Sequence, residues 1–249
     1  MPDPDYDLDD NAPEDAGVKK TLRLCEYRVN DAGAALGLRA GDVLAAINGK
    51  AFIGSSKELT ERFIQANGKP LALTFLRGDI DITVLADHPN LGKWEAVPAR
   101  PWNEARQDPA SMRNWEVLRT DDGRYDLHPL TPGPLVLLVP PIWLLQNRLW
   151  VPAAAIVAAI AISAAIWWPI GALVYVLTGM ILRRSGATLY RLDRVNMGMI
   201  PYAIVAAHSE AGAHAAYGKI DPKGRFYFGG ASKDDTKPPA DQTAPDTTA

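Results

Sequence analysis

Apolar and polar positions alternate with a period of two over Leu71-Ala72-Leu73-Thr74-Phe75-Leu76 and Ile80-Asp81-Ile82-Thr83-Val84-Leu85, on either side of Arg77-Gly78-Asp79. This pattern predicts a β-hairpin. A looser alternation over residues 21–29, with Leu22, Leu24 and Tyr27 inward, predicts another strand. Val43, Leu44 and Ile47 form a short apolar run between Gly41-Asp42, a tight turn, and Asn48-Gly49, which favours a type I′ hairpin turn. Asn30 and Asp31 can cap one or two helical turns over residues 32–38. Ser55-Ser56-Lys57-Glu58 has the spacing of a capping box, and Leu59, Phe63 and Ile64 behind it share one helical face. Asn67-Gly68 ends that helix, because Gly accepts a left-handed backbone at low cost.

The pattern then changes character. Residues 149–182 contain no Asp, Glu, Lys or Arg. A charge-free apolar stretch longer than roughly 18 residues predicts membrane spanning. One straight helix over residues 150–182 would run about 50 Å against a hydrocarbon core of about 30 Å. Pro169, after Trp167-Trp168, would break such a helix. The expectation is therefore a transmembrane hairpin of two helices, near residues 150–167 and 169–182. Arg148 before it and Arg183, Arg184, Arg191 and Arg194 after it place both ends on one side, cytoplasmic by the positive-inside tendency. Residues 134–145 are apolar but short, with Pro140-Pro141 in their middle; they predict an interfacial or re-entrant segment, or a third span.

Charge and composition narrow the picture. A formal net charge of -3 over 249 residues argues against nucleic acid as a partner. The first fifteen residues carry seven acids and no base, which excludes a secretory signal and predicts a disordered acidic arm. Residues 231–249 are similarly poor in apolar side chains. Cys25 is the single cysteine, so an intramolecular disulfide is impossible and the thiol is read as a half-buried strand residue.

The run Ala35-Leu36-Gly37-Leu38-Arg39-Ala40-Gly41-Asp42-Val43-Leu44-Ala45-Ala46-Ile47-Asn48-Gly49, with the elements around it, resembles PDZ domains of the bacterial type over roughly 70 residues. The resemblance implies a module that takes an extended peptide as an added strand, with backbone N–H groups holding its carboxylate. It places the binding residues at Lys19, Lys20, Thr21, Leu22 and Leu24 on the expected edge strand, and at Thr60 and Ile64 on the helix that forms the second wall. In place of the family's Gly-Leu-Gly-Phe-like loop the chain has Gly17-Val18-Lys19-Lys20-Thr21. Lys19 and Lys20 either attract a carboxylate or stand as solvated charges. Without carboxylate capture, the module would bind an internal segment or pack on its own membrane part. A second stretch, Pro140-Pro141-Ile142-Trp143-Leu144-Leu145-Gln146-Asn147-Arg148-Leu149-Trp150 with its Arg-rich exit, resembles a family of small uncharacterised bacterial inner-membrane proteins, which implies topology and no activity.

The expected fold class is thus an α+β PDZ-like module plus an α-helical transmembrane hairpin and a small C-terminal α/β segment. The expected organisation is an acidic arm over residues 1–19, the PDZ-like domain over 20–88 and a linker over 89–133. A membrane segment over 134–184, a small cytoplasmic segment over 185–230 and a disordered tail over 231–249 complete it. Trp94, Trp102, Trp115 and the turn Asp121-Asp122-Gly123 point to an ordered hairpin within the linker.

No pattern of catalytic chemistry stands out. An intramembrane zinc protease needs two histidines one helical turn apart beside a Glu. The four histidines, His88, His128, His208 and His214, lie outside the apolar stretch, and the last two are six residues apart. Ser209 reads as a helix cap, Ser55-Ser56-Lys57 as capping, and Ser163 as bonded to its own helix. Gly224-Arg225-Phe226-Tyr227-Phe228-Gly229-Gly230 reads as a terminal hairpin, not a phosphate loop. The expectation is a non-enzymatic adaptor at the bacterial inner membrane, with no catalytic site, metal or cofactor. Its expected partners are the lipid bilayer and a peptide or protein ligand. The alternatives are a regulatory or assembly subunit of a membrane enzyme complex, or a degenerate membrane protease.

Overall fold

The computed structural model describes residues 19–229 except 104 and 106. The acidic arm and the C-terminal tail anticipated from sequence lie outside the described residues, as does the side chain of Tyr27. Two sheets and seven α-helices form an α+β fold among the described residues.

The first sheet contains β1 (Lys20–Val29), β2 (Val43–Ile47), β3 (Lys50–Ala51), β4 (Leu71–Arg77), β5 (Ile80–Ala86) and β6 (Gly92–Pro98). Its order is β5-β4-β2-β1-β6, with β3 paired to β2. Asn48 and Gly49 both have positive φ, 52° and 80°, which closes the β2–β3 hairpin as Asn-Gly does in type I′ turns. Helix α1 (Asp31–Ala35) is capped by Asn30, whose side chain accepts from the Gly33 N–H. A Cβ on Gly33 would stand 2.1 Å from the Leu91 carbonyl oxygen, so glycine lets α1 lie against the lead-in to β6. Helix α2 (Ser56–Ala66) starts with the full reciprocal capping box of Ser55 and Glu58. Its Leu59 and Phe63 join Leu24, Leu44, Leu73 and Phe75 in the core of this unit.

The second sheet has the order β10-β8-β7-β9. Strands β7 (Arg113–Arg119) and β8 (Arg124–Pro129) form a hairpin, and β9 (Ile200–Ala207) pairs antiparallel with β7. Over its described residues, 224–229, the anticipated terminal hairpin does not form. Strand β10 (Arg225–Phe226) runs parallel to β8. Between β8 and β9 the chain forms α3 (Leu135–Leu138), α4 (Pro140–Gln146), α5 (Trp150–Ile166) and α6 (Trp168–Asn196). Helix α7 (Glu210–Ile220), capped by Ser209, packs on this sheet through Ala213 and Tyr217.

The transmembrane hairpin is overturned: among the described residues no helix is long and apolar enough to cross a membrane. Helix α5 stops after 17 residues, at an extended Trp167. Helix α6 is 29 residues long but its second half carries Arg183, Arg184, Arg191, Asp193 and Arg194. Pro169 sits in the first turn of α6, where its missing N–H costs nothing, and starts that helix. The placement in the bacterial inner membrane, which rested on that span, falls with it. The Arg-rich exit is also put to a different use: Arg191 and Arg194 are ion-paired to the second sheet.

Candidate functional site

Strand β1, the anticipated peptide edge, is interior, with β2 on one side and β6 on the other. Thr21, Leu22 and Leu24 are buried, and the Thr21 hydroxyl donates to the Leu44 carbonyl. Lys19 and Lys20 are exposed, but their backbone is engaged: the Lys19 carbonyl accepts from the Ala99 N–H at 2.7 Å and the Lys20 carbonyl from the Gly54 N–H at 3.0 Å. Thr60 and Ile64, one turn apart, lie on the solvent side of α2, where the Thr60 hydroxyl donates to the Ser56 carbonyl. The structure therefore splits the seven anticipated binding residues: Thr21, Leu22 and Leu24 are buried in an interior strand, Lys19 and Lys20 are exposed at its start, and Thr60 and Ile64 lie on the solvent side of α2. A groove of about 470 Å³ between α2 and the β2–β3 hairpin is lined by Asn48, Phe52, Arg62, Gln65 and Leu71, without Thr60 or Ile64.

Among the described residues no strand pairs with the outer side of β6, and its register with β1 directs part of its backbone outward. Lys19 lies opposite Ala99 and is hydrogen-bonded to it, so by alternation Thr21–Val97 and Arg23–Glu95 are the hydrogen-bonded pairs of the ladder. Leu24 accordingly points its backbone the other way, its N–H donating to Asp42 and its carbonyl accepting from Gly41. On β6 the same alternation aims the N–H and C=O of Trp94 and Ala96 away from β1. Pro98 stands at the next outward position, where a missing donor breaks no ladder bond. Two contacts hold the strand: Arg23 bonds Glu95 at 2.5 Å, and the Trp94 ring stacks on Phe75 with centroids 6.2 Å apart. The opposite edge is covered. The Asn114 side chain of β7 accepts from the Leu85 N–H and donates to the Leu85 carbonyl, each at 2.8 Å, so the second sheet caps β5.

A second cluster sits where α6 meets the second sheet. Asp126 accepts from Arg194 Nε at 2.6 Å and from the Tyr190 hydroxyl at 2.5 Å. Arg194, only 1% exposed, also reaches the Asn147 carbonyl and the Asp193 carboxylate. Glu116, buried on β7, pairs with Arg191 at 2.8 Å. His128 is buried, stacks on Tyr190 with centroids 4.3 Å apart, and has no hydrogen bond to either ring nitrogen. Its Nε2 is 3.3 Å from a Glu116 oxygen. Burial, with the Arg191 and Arg194 charges nearby, pushes His128 down to about 3; this outweighs Glu116, and the ring is neutral at pH 7. Burial and the adjacent Asp126 carboxylate push the Tyr190 hydroxyl up, so it remains a donor. Salt-bridged acids, a permanently protonated phenol and a neutral ring hold α6 to the sheet. Asp126, Tyr190 and Arg194 also line a cavity of about 380 Å³ with Trp143, Arg148 and Phe228, and Glu116 and Arg191 line another of about 320 Å³.

The remaining histidines lie apart. His208 Nδ1 is 2.9 Å from Ser111 Oγ, and His214 Nδ1 is 2.8 Å from the Tyr125 hydroxyl. Among the described residues no group of three His, Cys, Asp or Glu side chains converges as a metal site would require. Sequence reasoning missed β6 because residues 92–98 carry no clean alternation. It missed the buried cluster because Glu116, Asp126 and Arg194 are far apart along the chain. Two signals were present: Asp126 and His128 share a strand face at i, i+2, and Tyr190 and Arg194 share a helix face at i, i+4. No protein-family model matches the chain, and no curated protein matches it.

Proposed function

We propose that the chain is a non-enzymatic binding protein whose N-terminal PDZ-like unit takes an extended peptide or protein segment by strand addition along β6. The asymmetry of the first sheet carries this reading: β5 is capped by Asn114, whereas β6 ends the sheet among the described residues, with the Trp94 and Ala96 backbone groups directed outward. A bare strand edge is a template for main-chain pairing, with specificity supplied by the side chains beside it. Lys93 and Ala96 are exposed along that strand, and Trp94 is half-buried.

The full chain panned against displayed random peptides, free at the C-terminus or internal, should yield ligands. The variant Ala96→Pro removes an outward donor and no β1–β6 bond, so it should bind a selected peptide at least about tenfold more weakly while melting near the parent temperature. Val97→Pro removes an inward donor and should instead destabilise the fold. A panel that yields no ligand, or an Ala96→Pro variant that binds as the parent does, would exclude strand addition at β6.

A further inference from the structure

The α5–α6 hairpin leaves its apolar surface without a partner among the described residues. Thirteen large hydrophobic side chains from Trp150 to Ile181 are between 39% and 81% exposed. So large a contiguous apolar surface is unusual for a protein surrounded by water. The exposure is not confined to one flat side. On α5 only the stripe toward α6, with Ala153, Ile156 and Ile160, is withdrawn, while Val151 and Val157 are both exposed and lie about 120° apart around the axis. The two helices are tightly joined: a Cβ on the buried Gly171 would come within 2.6 Å of Ala164. The hydroxyls along the hairpin are bonded to carbonyls of the chain, as a water-poor medium requires. The Ser163 hydroxyl donates to the Ala159 carbonyl, Thr178 to Val174, and Tyr175 to Leu138.

The hairpin's ends carry complementary chemistry. Its tip is the exposed pair Trp167-Trp168. At its base α3 and α4 form a collar, with Leu138, Ile142 and Leu145 exposed, and Arg183 and Arg184 stand exposed just beyond the charge-free stretch. We infer that the α5–α6 hairpin embeds, tip first and from one side, in the apolar layer of an anionic phospholipid surface, with Arg183 and Arg184 at the headgroups and without crossing to the other face. The dimensions agree. Helix α5, at 17 residues, is roughly 25 Å long, and the charge-free part of α6 is shorter, against a hydrocarbon thickness of about 30 Å. A fluid covers a convex surface that is apolar around most of its circumference, whereas a second copy of the chain would cover one side. This inference rests on the hairpin alone and is independent of peptide binding at β6.

Flotation of the full chain with vesicles of phosphatidylcholine, or of phosphatidylcholine with phosphatidylglycerol, tests it. The chain should float with the anionic vesicles and less well with the neutral ones. Trp167→Glu with Trp168→Glu changes only exposed positions and should reduce flotation by more than roughly tenfold with the melting temperature unchanged. Arg183→Glu with Arg184→Glu should remove the preference for anionic lipid. In Cys25→Ser carrying Ile166→Cys, the tip thiol should resist a maleimide trapped inside the vesicles. A chain that stays unbound in both lipids, as monomer or as a defined oligomer, would overturn the inference. So would Glu variants that float like the parent, or a tip labelled from the lumen.

Discussion

The two sheets of this protein are assembled on opposite plans. The first draws its strands from residues 20–98 in nearly unbroken succession around an aliphatic core containing Leu24, Leu44, Leu59 and Leu73. The second takes β7 and β8 from residues 113–129 and its outer strand β9 from residues 200–207, and four helices intervene. Between that sheet and α6 lies an ionic lock of Arg194, Asp126, Tyr190, Glu116 and Arg191. The first sheet is built mainly from neighbouring strands and apolar burial, with one buried ion pair, Asp42–Arg77, beside its core. The second must hold together strands separated by a long excursion, and paired charges give that join a single register where apolar contact alone would tolerate sliding.

The sharpest way to break the contrast is to unlock the second sheet. Arg194→Leu leaves the Asp126 carboxylate buried without its cation and should lower stability by about 3–5 kcal/mol in urea unfolding. The strands of the second sheet should lose hydrogen-exchange protection before β2 and β4 do. Acid should act in the same direction. His128 is neutral in the folded chain down to a pKa of about 3, while an unfolded histidine takes a proton near pH 6.5. The unfolded state therefore binds more protons over that window, and the stability present above pH 6.5 is lost as pH falls toward 3. The slope approaches about 1.4 kcal/mol per pH unit, or about 2–3 kcal/mol by pH 4.5, and His128→Phe should flatten it in urea titrations run at several pH values.

A milder variant, Asn114→Ala, acts where the two sheets meet. It removes both bonds to the Leu85 backbone and should cost about 1–2 kcal/mol, with faster amide exchange at Leu85. If Leu85 exchange does not change, the two sheets are not coupled through that side chain. The smallest effect is expected inside the first sheet's own unit. Ser55→Ala removes a cap at the start of α2 and should cost about 0.5–1 kcal/mol in thermal melting, without altering the pH slope.

The same contrast explains what could be read from the sequence. The Ser55–Glu58 box, the Asn48-Gly49 turn and the alternation on either side of Arg77-Gly78-Asp79 act within a few residues, and α2, the β2–β3 hairpin and the β4–β5 hairpin stand where those signals put them. Strand β6 was illegible because its place is decided by pairing with β1, some 70 residues earlier, and by Trp94 stacking on Phe75. The edge expected near residues 22–27 consequently falls on a strand that already has two neighbours. The Arg-rich run after residue 182 misled for a related reason: charge counted along the chain does not show that Arg194 is buried against Asp126 of β8, or that Arg191, exposed like Arg183 and Arg184, still reaches the buried Glu116 of β7. Hydropathy located the apolar stretch, but the end of α5 at Trp167 decides how far the hairpin reaches.

The distance along the chain between β7 and β9 also has a meaning in time. At ~5–20 residues per second, a ribosome finishing β7 needs roughly 4–16 s more to deliver β9. During that interval the edge of β7 that β9 will occupy is bare, and the apolar hairpin is synthesised in full before the sheet can close beneath it. The hairpin is therefore made first, and β9 with α7 arrives later as the latch. A chain stalled before residue 200 would hold an exposed hairpin and an open sheet edge together, the combination that quality-control chaperones bind.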